Sequence, residues 1–166
     1  MNTFHLPERK IHMLTIGWEE RVSLPLLGLT GLKAKIDTGA RTSALHATDI
    51  VPFDRDGIPW VRFHSRFDDD TRDIDVECPI HDQRNIKNTS GVPEMRYIIR
   101  TRFAIARRAW RIDLSLTERT DMTFRMIVGR TALRNRSVLV DPGGRNLTEL
   151  PKTDLAERGH HERTSP

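Results

Sequence analysis

Along most of this chain apolar residues recur at every second position, in short runs broken by Gly, Pro, Asp and Asn. That is the period of half-buried β-strands. The pattern predicts a strand over His12–Ile16, a turn at Gly17–Glu20, and a strand over Val22–Leu26 that Pro25 confines to an edge or a strand end. From Leu32 to Ile36, Leu32, Ala34 and Ile36 face one way and Lys33 and Lys35 the other. Further strands are expected over Leu45–Phe53, Trp60–Phe67 and Ile74–Ile80, with a turn at Asp54–Gly57 and a hairpin tip at Asp68–Asp70. The polar stretch His81–Glu94 reads as the longest irregular region. Arg96–Leu116 carries the strongest alternation and predicts a long hairpin turning at Arg107-Arg108. After a turn at Glu118–Asp121 come a buried strand, Met122–Gly129, and a helical turn from Arg130 with Ala132 and Leu133 inward. Ser137–Val140 is the last predicted strand, and Pro142-Gly143-Gly144 ends the regular fold.

These elements describe an all-β domain over residues 11–147, with one short helix near 130–135. Residues 1–10 are expected as a loose arm and residues 148–166 as a disordered tail. A chain of 166 residues suits one domain with a true core, although 30% charged residues is polar for a compact fold. The 27 basic and 23 acidic residues give only +4, and the basic ones are scattered, which argues against nucleic acid as a partner. No run is long and apolar enough to span a bilayer, and residues 1–10 lack the apolar core of a signal peptide. A lone cysteine, Cys78, excludes an intrachain disulfide and reads as a small buried hydrophobe. The expectation is a soluble cytoplasmic protein.

Chemistry concentrates where the Leu32–Ile36 strand stops, at Asp37-Thr38-Gly39-Ala40. A strand delivers a carboxylate to its end, Gly39 permits a sharp turn beside it, and Thr38 can hold that turn by hydrogen bonds. About ninety residues later stands Met126-Ile127-Val128-Gly129-Arg130-Thr131-Ala132-Leu133. Together the two stretches resemble the retropepsin-like aspartic peptidases, which carry Asp-Thr-Gly-Ala at a strand end and an aliphatic-aliphatic-Gly-Arg-x-x-Leu run late in the domain. The string Lys35–Ala47, with Ile16-Gly17-Trp18-Glu19-Glu20 and Val140-Asp141-Pro142, is most similar to the branch labelled ATP-dependent zinc protease.

The resemblance implies a small closed β-barrel and an aspartic endopeptidase. Asp37 is then the catalytic carboxylate, with Thr38 bracing the turn and Gly39 admitting substrate backbone. Ala40, Arg41, Val128 and Gly129 line the peptide site, and Arg130 supports the loop. Two carboxylates held about 3 Å apart share one proton, so one activates water while the other polarises the amide. One Asp-Thr-Gly per chain means that the second carboxylate must come from a symmetric homodimer. The family's substrate-covering flap would fall within Trp60–Glu94. Retroviral relatives place an acid where Arg41 stands, to pair with the arginine of Gly-Arg; here Arg130 needs another partner, Asp49 or Asp141.

The family label invokes zinc and ATP, and the residues support neither as a cofactor. There is no His-Glu-x-x-His and no phosphate-binding Gly-x-x-x-x-Gly-Lys-Ser/Thr loop. The seven histidines lack ligand spacing; His46 and Asp37 flank one turn and have the opportunity to meet, which is not a ligand set. Two alternatives stand beside the aspartic peptidase acting on peptide or protein: a catalytically inactive barrel used for binding or dimerisation, and a zinc-dependent peptidase.

Overall fold

A computed structural model describes residues 12–66, 73–88 and 90–149 of the chain. Within them the alternation becomes strands β1 (Leu14–Leu24), β2 (Leu29–Asp37), β3 (Ser43–His46), β4 (Thr48–Arg55), β5 (Ile58–Arg66) and β6 (Asp73–Pro79). They are followed by β7 (Asp82–Lys87), β8 (Pro93–Ile105), β9 (Arg108–Thr117), β10 (Met126–Gly129), the single-turn helix α1 (Arg130–Leu133) and β11 (Val138–Arg145). The strand order β1-β2-β10-β3-β9-β8 returns to β1 through the pair Ser23 and Ala104, which closes a six-stranded barrel. Closure removes the open edges of these six strands. Outside it, β11 lies parallel to β1 and β7 antiparallel to β8. The all-β barrel with one short helix is the expected fold.

The inward positions of the alternating strands fill the barrel. Leu32, Ala34 and Ile36 of β2 join Ile99, Phe103 and Ile105 of β8 and Leu114 and Leu116 of β9 in one cluster. Strands β4, β5 and β6 form a separate three-stranded sheet. Its Val61, Phe63 and Val76 belong to the same core, and Ser65 Oγ donates to the His46 carbonyl at 2.9 Å, tying the sheet to β3.

Several local expectations give way to pairing. Gly17–Glu20 is not a turn but the middle of β1, because β11 and β2 pair with it on either side; the irregularity survives as a register shift between Gly17 and Glu19. His81–Glu94 holds β7 and the start of β8, joined through Asn88, whose N–H donates to the Val92 carbonyl at 2.9 Å and whose Oδ1 accepts from Ser90 and Val92. Its strand period is faint because β7 buries no residue fully: Arg84 and Ile86 are half-buried on one face and the other face is exposed. The β8–β9 turn uses Ala106 and Arg107, since Ile105 pairs with Arg108, and Ala106 takes a positive φ of 52°. Only Met126–Gly129 of the expected Met122–Gly129 strand is paired, whereas β11 runs on through Pro142-Gly143-Gly144. The expected arm at 1–10 and the hairpin tip Asp68–Asp70 lie outside the described residues, as does the expected tail from 150 onward.

Glu20, in the middle of β1, ties that strand to the chain beyond β11. Its fully buried carboxylate accepts hydrogen bonds from the backbone N–H groups of Gly17 (2.7 Å), Leu147 (2.9 Å) and Thr148 (3.4 Å), and from Thr148 Oγ1 at 2.7 Å. Buried acids survive in folded proteins when such donors replace water. Thr148, expected in the tail, is therefore anchored to the barrel. Replacing Glu20 with Ala orphans these donors and is expected to cost about 1–3 kcal/mol, read from the urea unfolding midpoint.

Candidate active site

The chain leaves β2 at Asp37, passes through residues 38–42, and re-enters the barrel as β3. Between those two strands sits β10, parallel to β2 and antiparallel to β3, with Gly129 beside Asp37 in register. The loop therefore wraps over the end of β10. Arg130 N–H donates to the Ala40 carbonyl at 2.9 Å, and the Arg41 carbonyl accepts from Thr131 N–H at 3.2 Å and Thr131 Oγ1 at 2.7 Å. Gly129 N–H donates to the buried Ser43 Oγ at 3.0 Å. A β-carbon on Gly129 would lie 2.7 Å from the Thr42 carbonyl carbon and 2.8 Å from the Arg41 oxygen, so no side chain fits there.

That interlock presents the acid. Asp37 Oδ1 accepts from Ala40 N–H at 3.1 Å, closing a turn that the Asp37 carbonyl also caps at 3.1 Å. Its other carboxylate oxygen lies 3.8 Å from Lys35 Nζ, and the side chain is 32% exposed. Gly39 does not use the left-handed backbone that its type would permit; a β-carbon there would lie 3.3 Å from Asp37 Oδ1, crowding the carboxylate. Asp37, Gly39, Ala40 and Arg41 line one wall of a cleft of about 1370 Å³. Thr38 points elsewhere, into a smaller hollow of about 410 Å³ with Met13, Arg130, Val138 and Val140.

Arg130 finds neither Asp49 nor Asp141. Its guanidinium donates to the Gly39 carbonyl at 2.9 Å, and among the described residues it makes no ion pair. A carbonyl thus serves where an acid was sought. Val128 and Gly129, expected on the peptide site, are buried behind the loop, and Ile127 faces the cleft instead. Of the Trp60–Glu94 stretch, β5 and β6 belong to the separate sheet. It is the β7–β8 hairpin, through Arg84, Lys87, Asn88 and Glu94, that borders the cleft.

Sequence reading passed over three parts of this site. Ser43 and Thr131 lie inside the quoted motifs, yet only the fold shows that they fasten the two motifs together. Arg119 stood in an expected turn. Its backbone N–H donates to His46 Nδ1 at 2.9 Å, its Nε donates to the Phe124 carbonyl at 3.0 Å, and its side chain borders the cleft. Burial and the nearby Arg96 charge push its pKa down, while Asp37 pulls the other way; a guanidinium stays charged through such shifts.

The cleft has an excess of positive charge. Arg84 is bound to Asp82 and Asp113, and Arg96 to Glu94 at 2.9 Å. Burial raises the pKa of Asp113, but hydrogen bonds from Arg100 and Arg84 outweigh it and hold the acid below its usual range. Arg41, Lys87, Arg119 and Arg134 also border the cleft and have no ion-pair partner among the described residues.

A family model described as the retropepsin-like aspartic endopeptidase RimB matches residues 15–150. The chain belongs to the RimB-like family. The match spans the barrel, the Asp37 loop and β10. Proteins named "Probable alpha-L-glutamate ligase" are also similar: one from Parasynechococcus marenigrum is 47% identical over 145 residues, covering 86% of this chain and 31% of its own length. Another, from Shewanella pealeana, is 43% identical over 129 residues, covering 76% of this chain and 28% of its own length. The chain thus spans about a third of the curated relatives it matches. A crystal structure of a Legionella pneumophila protein of unknown function superimposes with a TM-score of 0.71 at 27% identity, covering 82% of this chain and 98% of that one.

The residues do not fit the zinc that the related label invokes. His46 is buried with Nδ1 engaged, and among the described residues no three His, Cys, Asp or Glu side chains converge as a metal site. Cys78 is no alternative nucleophile, since burial pushes its thiol up to about 11. No helix among the described residues is long and apolar enough to cross a membrane.

Two outcomes test this geometry. Gly129→Ala should destabilise the fold by about 1–3 kcal/mol through overpacking against the loop, measured by thermal unfolding. Burial, then Arg125, with Arg66 and Arg119 adding and Glu118 opposing, lowers the His46 pKa below 6.5. Neutral His46 therefore favours the folded state fully above pH 6.5, and that contribution is lost as pH falls through the folded value. Urea midpoints of wild type should drop on acidification through this window, and His46→Asn should remove that part of the slope.

Proposed function

We propose that this chain is an aspartic-type peptidase that works as a symmetric homodimer, with Asp37 of each copy forming the catalytic pair. The observation that carries the reading is the placement of Asp37. Its part-exposed carboxylate lines a large cleft, on a loop locked by β10, within a RimB-like retropepsin fold. In such a pair one carboxylate takes a proton from water and the other polarises the scissile carbonyl. Thr38 and Gly39 serve the catalytic turn, Ala40, Arg41 and Ile127 contact substrate, and Arg130 holds the loop from behind.

A homodimer is supported by what lies on the other side of the loop. Thr38 opens onto a hollow with Met13 and Val138, and β11 is an edge strand exposing Leu139 at 53%. An edge strand with apolar neighbours is suited to pairing with a copy of itself. The relatives named glutamate ligases, and the cleft cations that lack an ion pair among the described residues, favour a glutamate-rich protein or peptide as substrate, hydrolysed at peptide or isopeptide bonds.

Cleavage of a peptide library from acidic to neutral pH, with wild type and Asp37→Asn side by side, tests the proposal. Asp37→Asn should lose about 10²–10⁴-fold in rate, and wild type should sediment as a dimer. Cleavage that survives the substitution would overturn it, cleavage abolished only by chelators would assign zinc, and a monomer with no cleavage would assign a binding module.

A further inference from the structure

Within the cleft, Arg119 is fixed in position and yet has donor capacity to spare. Its backbone is held by His46 Nδ1 and its Nε by the Phe124 carbonyl, and among the described residues both terminal guanidinium nitrogens are without a partner. Arg96 lines the same cleft but spends its Nε and one terminal nitrogen on Glu94. Both arginines border this one cleft, where the Arg96 charge works against that of Arg119, and Arg119 has no ion pair among the described residues. Two partly desolvated cations facing one space are stabilised by an anion between them, and the planar fork of arginine matches a carboxylate.

We infer that Arg119 is a specificity-determining residue that seats a substrate carboxylate beside Asp37, with Arg96 as the second positive wall. The inference deepens the peptidase reading and rests on it for the location of the substrate. The carboxylate has two sources, an acidic side chain or the end of a chain, and the shared chemistry is a planar anion held by two N–H groups.

The test uses three tetrapeptides, amidated tetraglutamate, amidated tetraglutamine and tetraglutamine with a free C-terminus, titrated into full-length Asp37→Asn protein by calorimetry. A preference of at least tenfold for the amidated glutamate peptide over its glutamine counterpart is expected, and Arg119→Gln in the same background should erase most of it. Arg119→Lys, which keeps the charge without the fork, should retain an intermediate preference and replaces Arg119→Gln if that variant unfolds. Preferential binding of the free-acid glutamine peptide, lost in the same variants, assigns the seat to a chain end. No preference in the parent protein, or a preference that both Arg119 variants leave intact, overturns the inference. Cleavage of the glutamate peptide by wild type is measured separately. Arg119-dependent binding without cleavage keeps the seat and discards the peptidase, while cleavage without Arg119 dependence does the reverse.

Discussion

Everything at the candidate site depends on β10 being threaded between β2 and β3. A strand inserted between two consecutive strands forces the connection between them to climb over its end, and the connection here carries Asp37. The bonds from Arg130 and Thr131 to the Ala40 and Arg41 carbonyls, with Gly129 pressed against Thr42, turn that crossing into a rigid clasp. A loop fastened from beneath holds a carboxylate more accurately than a free turn does, because its backbone acceptors are already satisfied. Close packing at Gly129 is the constraint, and it leaves no room for any other residue.

The barrel supplies the frame and the accessory strands supply the walls. β8 takes part in closing the barrel, then extends past it to pair with β7, so the same strand that completes the core also carries Glu94 and Arg96 to the cleft. On the opposite wall the loop before β10 is tied down by Arg119 through His46 and Phe124. His46 is itself buried against the β4–β6 sheet through the Ser65 bond to its carbonyl. The three-stranded sheet, none of whose residues line the Asp37 cleft, thus contributes to how one cleft wall is positioned.

Charge is distributed unevenly around this frame. Asp113 is shared by Arg84 and Arg100, and Glu94 occupies Arg96, so these cations are partly neutralised. Arg41 and Arg119 have no ion-pair partner among the described residues, and both border the same cleft as Asp37. A net charge of +4 over 166 residues says little about partners, but a local surplus inside one concave cleft says much more. Arg41, which departs from the retroviral pattern, belongs to that surplus, while Arg130 is accommodated by a carbonyl.

The sequence by itself determined the strands with one face buried, the stop at Asp37-Thr38-Gly39, and the pairing of that motif with Ile127-Val128-Gly129-Arg130. Period-two alternation and motif spacing are local signals, and a half-buried strand cannot avoid showing them. It left unread whatever depends on which strands become neighbours. Gly17–Glu20 looked like a turn until β2 and β11 flanked it, and His81–Glu94 looked irregular because β7 buries too little to carry a period. Val128 and Gly129 are buried beneath the loop, while their neighbour Ile127 borders the cleft. Arg119 carried no signal at all, since its role arises from a histidine seventy-three residues away and a cleft that several separate strands enclose. Long-range contacts fix such positions, and they have no period along the chain. The carboxylate at the end of β2 was legible; the clasp that holds it and the cations that surround it belong to the tertiary structure alone.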